Sequence, residues 1–146
     1  METREKEKVT LVKENSDYTI KVYLSLSLLT LHCKRHMGSE EVRQTCMALL
    51  EIVDAYKVKY LMSNARALHY LSMEDANWVW NHTLTALRAS TILKWARVEG
   101  PASMVELNSL QVRRRLEAEG VKASELQFES FVEEESALHW LLDNDA

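Results

Sequence analysis

Apolar and polar residues alternate in the first quarter of the chain, in short runs that predict β-strands. Three such runs, Val9–Lys13, Tyr18–Tyr23 and Leu28–Arg35, are separated by Asn15-Ser16-Asp17 and by Ser25–Ser27. Asn, Asp and Ser favour turns because their side chains hydrogen-bond to nearby backbone groups. Strands joined by short turns pair in antiparallel fashion, so this part of the sequence predicts a three-stranded meander.

After Gly38 the spacing of apolar residues becomes helical, and short apolar strands separate the helices. The predicted helices run from Gly38 to about Tyr56, from Met73 to about Ala89, from Asn108 or Ser109 to Glu119, and from Glu133 to Leu142. The predicted strands between them are Lys59–Asn64, Ile92–Val98 and Leu126–Phe131. Alternating helices and strands require crossover connections, which give a parallel sheet. The pattern therefore predicts an α/β fold, in which a mixed sheet has an antiparallel N-terminal meander, parallel βα units and four helices.

Two serines are placed to cap the first two helices. Ser39 and Ser72 each precede a helical pattern, and a serine hydroxyl at that position accepts a hydrogen bond from a backbone N–H of the first turn. The predicted core face of the first helix consists of Val42, Cys46, Leu49, Leu50 and Val53. That of the second helix consists of Met73, Ala76, Trp80, Leu84 and Leu87.

The composition is that of an ordinary folded domain. With 146 residues, of which 47% are hydrophobic, the chain is long enough for one full core, and we expect a single domain at residues 9–146 behind a flexible polar arm at residues 1–8. The formal net charge is −4, and the basic run Arg113-Arg114-Arg115 is followed at once by Glu117 and Glu119. That run is predicted to be a solvated helix face, and we expect no nucleic-acid partner.

No part of the chain approaches the roughly 20 apolar residues that a membrane-spanning helix needs, so we expect no membrane insertion. Cys33 and Cys46 lie within a strand pattern and a helix pattern, where small buried thiols are common. A disulfide framework is not predicted, and a reducing cytoplasm is the simplest location.

The sequence carries no recognised catalytic or cofactor motif. Its three glycines, Gly38, Gly100 and Gly120, form neither a Walker sequence nor a dinucleotide fingerprint, and no G-x-S-x-G elbow is present. His32 and Cys33 are adjacent on a strand and point to opposite faces, which argues against a shared metal ion. We therefore expect no enzyme activity, no cofactor and no metal.

The segment Val58–Trp80 gives the most promising contact site, because its pattern predicts a strand, a loop and the start of a helix. In α/β sheets, ligands bind beyond the carboxyl ends of the parallel strands, which here is the loop Ala65–Leu71. The polar residues at this end of the strand are Ser63, Asn64, Arg66, His69 and Tyr70. They could bind an anion or the carboxylate of a partner. Alternatively, Asn64 and Arg66 only hold the loop backbone in place.

Ser72 and Trp78 extend this site onto the second helix. Ser72 is either a helix cap alone or also a phosphorylation site, where a phosphate would meet free backbone N–H groups but also the charges of Glu74 and Asp75. Trp78 lies about 160° from Trp80 around an ideal helix. It is therefore either an exposed interface residue or a second buried face of the helix.

The chain resembles small bacterial proteins of the SpoIIAA-like or STAS-like class. Four parts of the sequence carry the resemblance: the strands up to Arg35, the helix start G-S-E-E, the segment Y-L-M-S-N-A-R followed by S-M-E-D-A-N-W-V-W, and the C-terminal A-L-H-W-L-L. It implies an α/β fold with a mixed sheet. In phospho-regulated members, a D-S-S-G-like turn holds a phosphorylated serine, and the nearest counterpart here is Ser72. The Asp-Ser-Ser-Gly sequence itself is absent, and no glycine follows Ser72.

Two functions follow from this resemblance and from the candidate site. The first is a non-catalytic regulatory module that binds another protein through the loop and the start of the second helix, with homodimerisation through that helix also plausible. The alternative is a carrier of a small apolar, lipid-like ligand in a cavity between the sheet and the first or second helix.

Overall fold

The computed structural model describes residues 9–69, 71–100, 110, 114, 117–118 and 126–143. The predicted arm at residues 1–8 and most of the predicted helix ending at Glu119 lie outside the described residues. Within the described part, the chain forms six strands and three helices in the predicted order.

The six strands form one sheet in which strands adjacent in sequence are also adjacent in space. They are β1 (Val9–Glu14), β2 (Tyr18–Tyr23), β3 (Leu28–Cys33), β4 (Tyr60–Asn64), β5 (Lys94–Val98) and β6 (Gln127–Phe131). Strands β1 to β3 pair in antiparallel fashion, whereas β3 to β6 pair in parallel. The predicted α/β class, with a meander followed by parallel βα units, is confirmed.

Three described helices cover the sheet. Helix α1 (Ser39–Tyr56) connects β3 to β4, helix α2 (residues 73–88) connects β4 to β5, and helix α3 (Glu134–Leu142) follows β6. None of these helices combines the length and the apolar content that a membrane crossing requires.

Each face of the sheet has its own core, because successive strand residues point to opposite sides. Leu29 and Leu61 pack against α1 and α2 on one face. Leu28, Met62 and Ala96 pack against α3 on the other face. The cavity described below lies on the α1 and α2 side.

The start of α1 differs from the prediction that Ser39 is its cap. Gly38 is the N-cap residue, and its backbone N–H donates to Glu41 Oε1 at 3.1 Å. Because Glu41 caps the helix, the Ser39 hydroxyl is available to donate to Asp75 Oδ2 at 2.8 Å. Ser39 therefore links the starts of α1 and α2.

The core face of α2 also differs from the prediction, because the helix contains a π-helical segment. Helix α2 consists of an α-helical turn (Met73–Trp78), a π-helix (Val79–Leu84) and a final α-helical turn (Thr85–Arg88). The wider π turn rotates the positions on either side of it relative to each other. Leu84 and Leu87 are buried as predicted, but Met73 is 82% exposed, and Val79 and Thr83 point inward instead. The side chain of Trp80 lies outside the described residues.

Candidate functional site

A cavity of about 70 Å³ lies between the sheet and helices α1 and α2. Its apolar walls include Leu31, Val42, Leu49, Leu68, Leu71 and Val79. Leu68 and Leu71 belong to the loop after β4, and Met37, another wall residue, belongs to the loop after β3. The cavity therefore lies at the carboxyl ends of the parallel strands, where the sequence predicts a ligand.

The floor of the cavity is one row of residues across the sheet. Leu31 on β3 pairs with Ser63 on β4, and Ser63 pairs with Arg97 on β5. The preceding residues on the same face of β4 and β5, Leu61 and Trp95, form the next row. Strand alternation and parallel register thus bring a hydroxyl and a guanidinium side by side near the strand ends.

Trp95 and Ser63 are joined by a buried hydrogen bond. The indole Nε1–H of Trp95 donates to Ser63 Oγ at 2.9 Å. The Trp95 ring packs edge-to-face with Phe128 of β6, with 4.7 Å between ring centroids and 68° between planes. These contacts hold the indole in one orientation in the cavity wall.

Arg97 is the one charged side chain among the described residues that line the cavity. It is only 6% exposed, and its guanidinium lies 5.2 Å from the Trp95 ring centroid and 5.8 Å from that of Phe128. Burial lowers the pKa of the Arg97 guanidinium, and the Glu99 carboxylate raises it. Glu99 is itself buried and directly follows the last residue of β5.

Thr83 enters the cavity from the π-helical segment of α2. Its side chain is 2% exposed, and Oγ1 makes no hydrogen bond of good geometry within the described residues. The hydroxyl is nevertheless close enough to the Cys46 thiol to lower the pKa of that thiol. This contact lacks the geometry of a hydrogen bond, so the hydroxyl remains largely unsatisfied.

The two free cysteines line the same cavity as protonated thiols. Burial raises the pKa of Cys33 to about 12, and burial also raises the pKa of Cys46. A thiol rather than a thiolate is a poor nucleophile and a poor metal ligand. The part of the chain that the structure describes contains no group of three or more His, Cys, Asp or Glu residues placed to hold a metal ion.

The predicted contact residues of the strand end and loop are not brought together at one site. Ser63 points into the cavity, whereas Asn64 points to the opposite face, where its Nδ2 donates to Glu134 Oε2 at 2.6 Å. Asn64 Oδ1 also accepts from the backbone N–H of Arg66 at 3.0 Å. Asn64 therefore anchors the loop, which is the structural alternative, while the Arg66 side chain is exposed.

His69 is exposed on the same loop, and Tyr70 lies outside the described residues. The His69 ring stacks on that of His36 with 5.4 Å between centroids, and the His69 backbone N–H donates to His36 Nδ1 at 3.1 Å. These contacts connect the loop after β4 to the loop after β3, on the rim of the cavity.

Ser72 caps α2 as predicted, since its Oγ accepts from the backbone N–H of Asp75 at 3.0 Å. Trp78 is half-buried and packs between two side chains. The His82 ring stacks on one side at 4.7 Å between centroids, and the Arg43 guanidinium lies 5.6 Å from the ring centroid. Trp78 thus contributes to packing between α1 and α2.

The sequence pattern did not indicate Thr83 or Arg97, the two polar cavity residues best suited to bind a ligand. A signal for Arg97 was present, because it alternates with Trp95 and so occupies an inward position of a buried strand. Thr83 had no such signal, since the π-helical segment that turns it inward does not follow the regular helical period.

No family model matches the chain, and neither the curated proteins nor the solved structures searched give a match to it.

Proposed function

We propose that this protein is a non-catalytic binding module that takes a small, largely apolar ligand into the cavity between the sheet and helices α1 and α2. The observation that carries the proposal is the cavity itself, in which apolar walls surround a few converging polar groups. Ligand sites in proteins commonly have this composition and this position in an α/β sheet.

The cavity volume limits what enters it. At about 70 Å³ it is well below the several hundred Å³ of a typical drug-sized site. The ligand is therefore small, or it inserts only one end into the cavity, with the rest emerging between the loops after β3 and β4.

The polar groups of the cavity support binding rather than catalysis. Its described wall contains no His, Asp or Glu that could act as a general base. The Ser63 hydroxyl is engaged by the Trp95 indole, and burial holds Cys33 in its thiol form. We accordingly propose no catalytic residue and no cofactor.

Native mass spectrometry and NMR titration test this proposal. We expect a co-purifying small molecule, or backbone amide shifts around the cavity on titration with short-chain organic compounds. Ala65→Leu fills the cavity wall and should abolish those shifts, whereas Ala86→Leu, on α2 and outside the cavity wall, should not. A protein that responds to no compound, or a response that both variants retain, would contradict the proposal.

A second candidate function is a protein-interaction module of the SpoIIAA-like or STAS-like kind, located in the bacterial cytoplasm. The favouring observation is the 82% exposure of Met73 at the start of α2, next to the loop with exposed Arg66 and His69. Methionine is enriched at protein–protein interfaces. The mixed sheet with parallel βα units is the arrangement that the resemblance implies, which supports this candidate.

Sedimentation velocity tests the simplest form of this second candidate, a homodimer. We expect a concentration-dependent dimer that Met73→Lys abolishes. Met47→Lys is the matched control, since Met47 is a 56% exposed methionine on α1. A monomer at every concentration, or equal loss with both variants, would exclude dimerisation through the start of α2.

A further inference from the structure

The chemical class of the ligand follows from two polar groups that face the cavity, and this inference rests on the proposed binding function. Thr83 offers a hydroxyl that is 2% exposed and lacks a hydrogen bond of good geometry. Buried hydroxyl groups are normally hydrogen-bonded, because leaving one unpaired is unfavourable. A ligand atom that accepts a hydrogen bond would satisfy this group.

Arg97 provides further donors at the floor of the same cavity. A guanidinium carries five N–H donors, so it can hold its protein partners and still reach a ligand oxygen. Thr83 and Arg97 line the same small cavity. One ligand oxygen in so small a cavity can therefore lie near both donors.

The charge around Arg97 decides whether that oxygen belongs to an anion. Glu99 is 3% exposed, lies two residues beyond Arg97 and interacts electrostatically with it, so the positive charge already has a buried negative neighbour. An ionised ligand would add a second negative charge, and no other cation lines the described wall of the cavity. Burying a charge without a counter-charge is strongly unfavourable.

We propose that the cavity binds a small uncharged carbonyl compound, such as a short aliphatic amide or ketone, whose oxygen accepts hydrogen bonds from Thr83 and Arg97. The alkyl part of such a molecule packs against Leu31, Val42, Leu49 and Val79. A carboxylic acid enters only in its protonated, neutral form.

The proposal is tested by NMR titration of the full chain with four matched four-carbon probes: butyramide, 2-butanone, 1-butanol and butyrate. We expect the amide and the ketone to bind more tightly than the alcohol, and butyrate to bind weakly at neutral pH. The apparent affinity for butyrate should rise by about tenfold for each pH unit on lowering the pH from 7 towards the carboxyl pKa, because only the protonated acid binds. Butyramide affinity should not change over the same range.

Two threonine variants supply the structural control. Thr83→Val keeps the shape of the side chain and removes the hydroxyl, and it should weaken butyramide binding by roughly two- to tenfold, the usual effect of one hydrogen bond. Thr45→Val should have little effect, because Thr45 lines the same cavity but donates to Met37 Sδ at 3.4 Å.

The titration results distinguish failure of the neutral-carbonyl proposal from failure of the proposed binding function. Tightest binding of butyrate at neutral pH, or equal binding of all four probes that Thr83→Val leaves unchanged, would overturn the neutral-carbonyl proposal while the binding function stands. If none of the probes binds and no small molecule co-purifies, both proposals fail.

Discussion

The indole N–H of Trp95 donates to the Ser63 hydroxyl 2.9 Å away, on the neighbouring parallel strand and in the floor of the cavity. Both residues are buried, so neither group can exchange this hydrogen bond for one to bulk water. The bond holds the indole in place in the cavity wall. Ser63, predicted from the sequence as a contact residue, therefore shapes the site by holding Trp95.

Replacing Ser63 by Ala should destabilise the protein by about 1–3 kcal/mol, because the Trp95 N–H is left buried without an acceptor. Equilibrium urea unfolding measures this change. The matched variant Trp95→Phe removes the donor, and adding Ser63→Ala to it should cost much less than in the native protein. Equal effects of Ser63→Ala in both backgrounds would show that the hydrogen bond contributes nothing.

The buried Cys33 thiol should make stability depend on pH in the alkaline range. Burial raises the pKa of Cys33 from its ordinary value of 9.0 to about 12. The unfolded chain therefore loses this proton from about pH 9 upward while the native protein keeps it, so stability is retained below pH 9 and falls as the pH approaches 12. The loss due to this one group should reach about 1.4 kcal/mol per pH unit.

Cys33→Ala isolates this effect. Urea unfolding of both proteins between pH 8 and about pH 10.5, with a reductant present, should show a smaller alkaline loss of stability for the variant. Parallel stability curves would mean that the thiol ionises as easily in the native state as in the unfolded one. Slow reaction of native Cys33 with a thiol reagent at neutral pH is a second readout.

Asn64 should act as a structural anchor rather than as a partner contact. Its amide donates to Glu134 Oε2 at 2.6 Å, which ties the end of β4 to the first turn of α3. Asn64→Asp replaces the donor with an acceptor and places two carboxylates together, so it should cost roughly 2 kcal/mol at neutral pH. The double variant Asn64→Asp with Glu134→Gln restores a donor–acceptor pair and should recover most of the loss in thermal unfolding. Absence of any recovery would locate the role of Asn64 elsewhere.

Substitutions of Arg66 and Trp78 should have different effects on the stability of the protein. Trp78 packs between Arg43 and His82 and against the core, so Trp78→Ala should lower the free energy of unfolding by roughly 2 kcal/mol or more. Arg66 is exposed, so Arg66→Ala should change the free energy of unfolding by no more than about 0.5 kcal/mol. Denaturant unfolding compares the two directly. A stable Trp78→Ala variant would support the hypothesis that Trp78 serves an interface.

The sequence predicts most of the fold because strands and helices have fixed local periods. Four predicted features depend on residues within a few positions of one another. They are the meander, the strand that ends at Asn64, the cap at Ser72 and the alternation of helix and strand after Gly38. The capping group of α1 was assigned wrongly to Ser39, because Glu41 competes for the same role and a local pattern does not rank the two. Most of the predicted third helix, and Tyr70, lie outside the described residues.

The candidate site was predicted only as a region. The loop after β4 does border the cavity, but Ser63 and Asn64, which are adjacent in the sequence, point to opposite faces of the sheet and serve different purposes.

The sequence by itself determined the α/β class, the antiparallel start of the sheet and the position of the strand–loop–helix unit, because these depend on local backbone geometry. Only the tertiary structure decided that Thr83 and Arg97 share one cavity. Their meeting depends on the π-helical segment of α2 and on the register of β4 with β5. Both result from packing between segments far apart in the chain, which a local pattern does not encode.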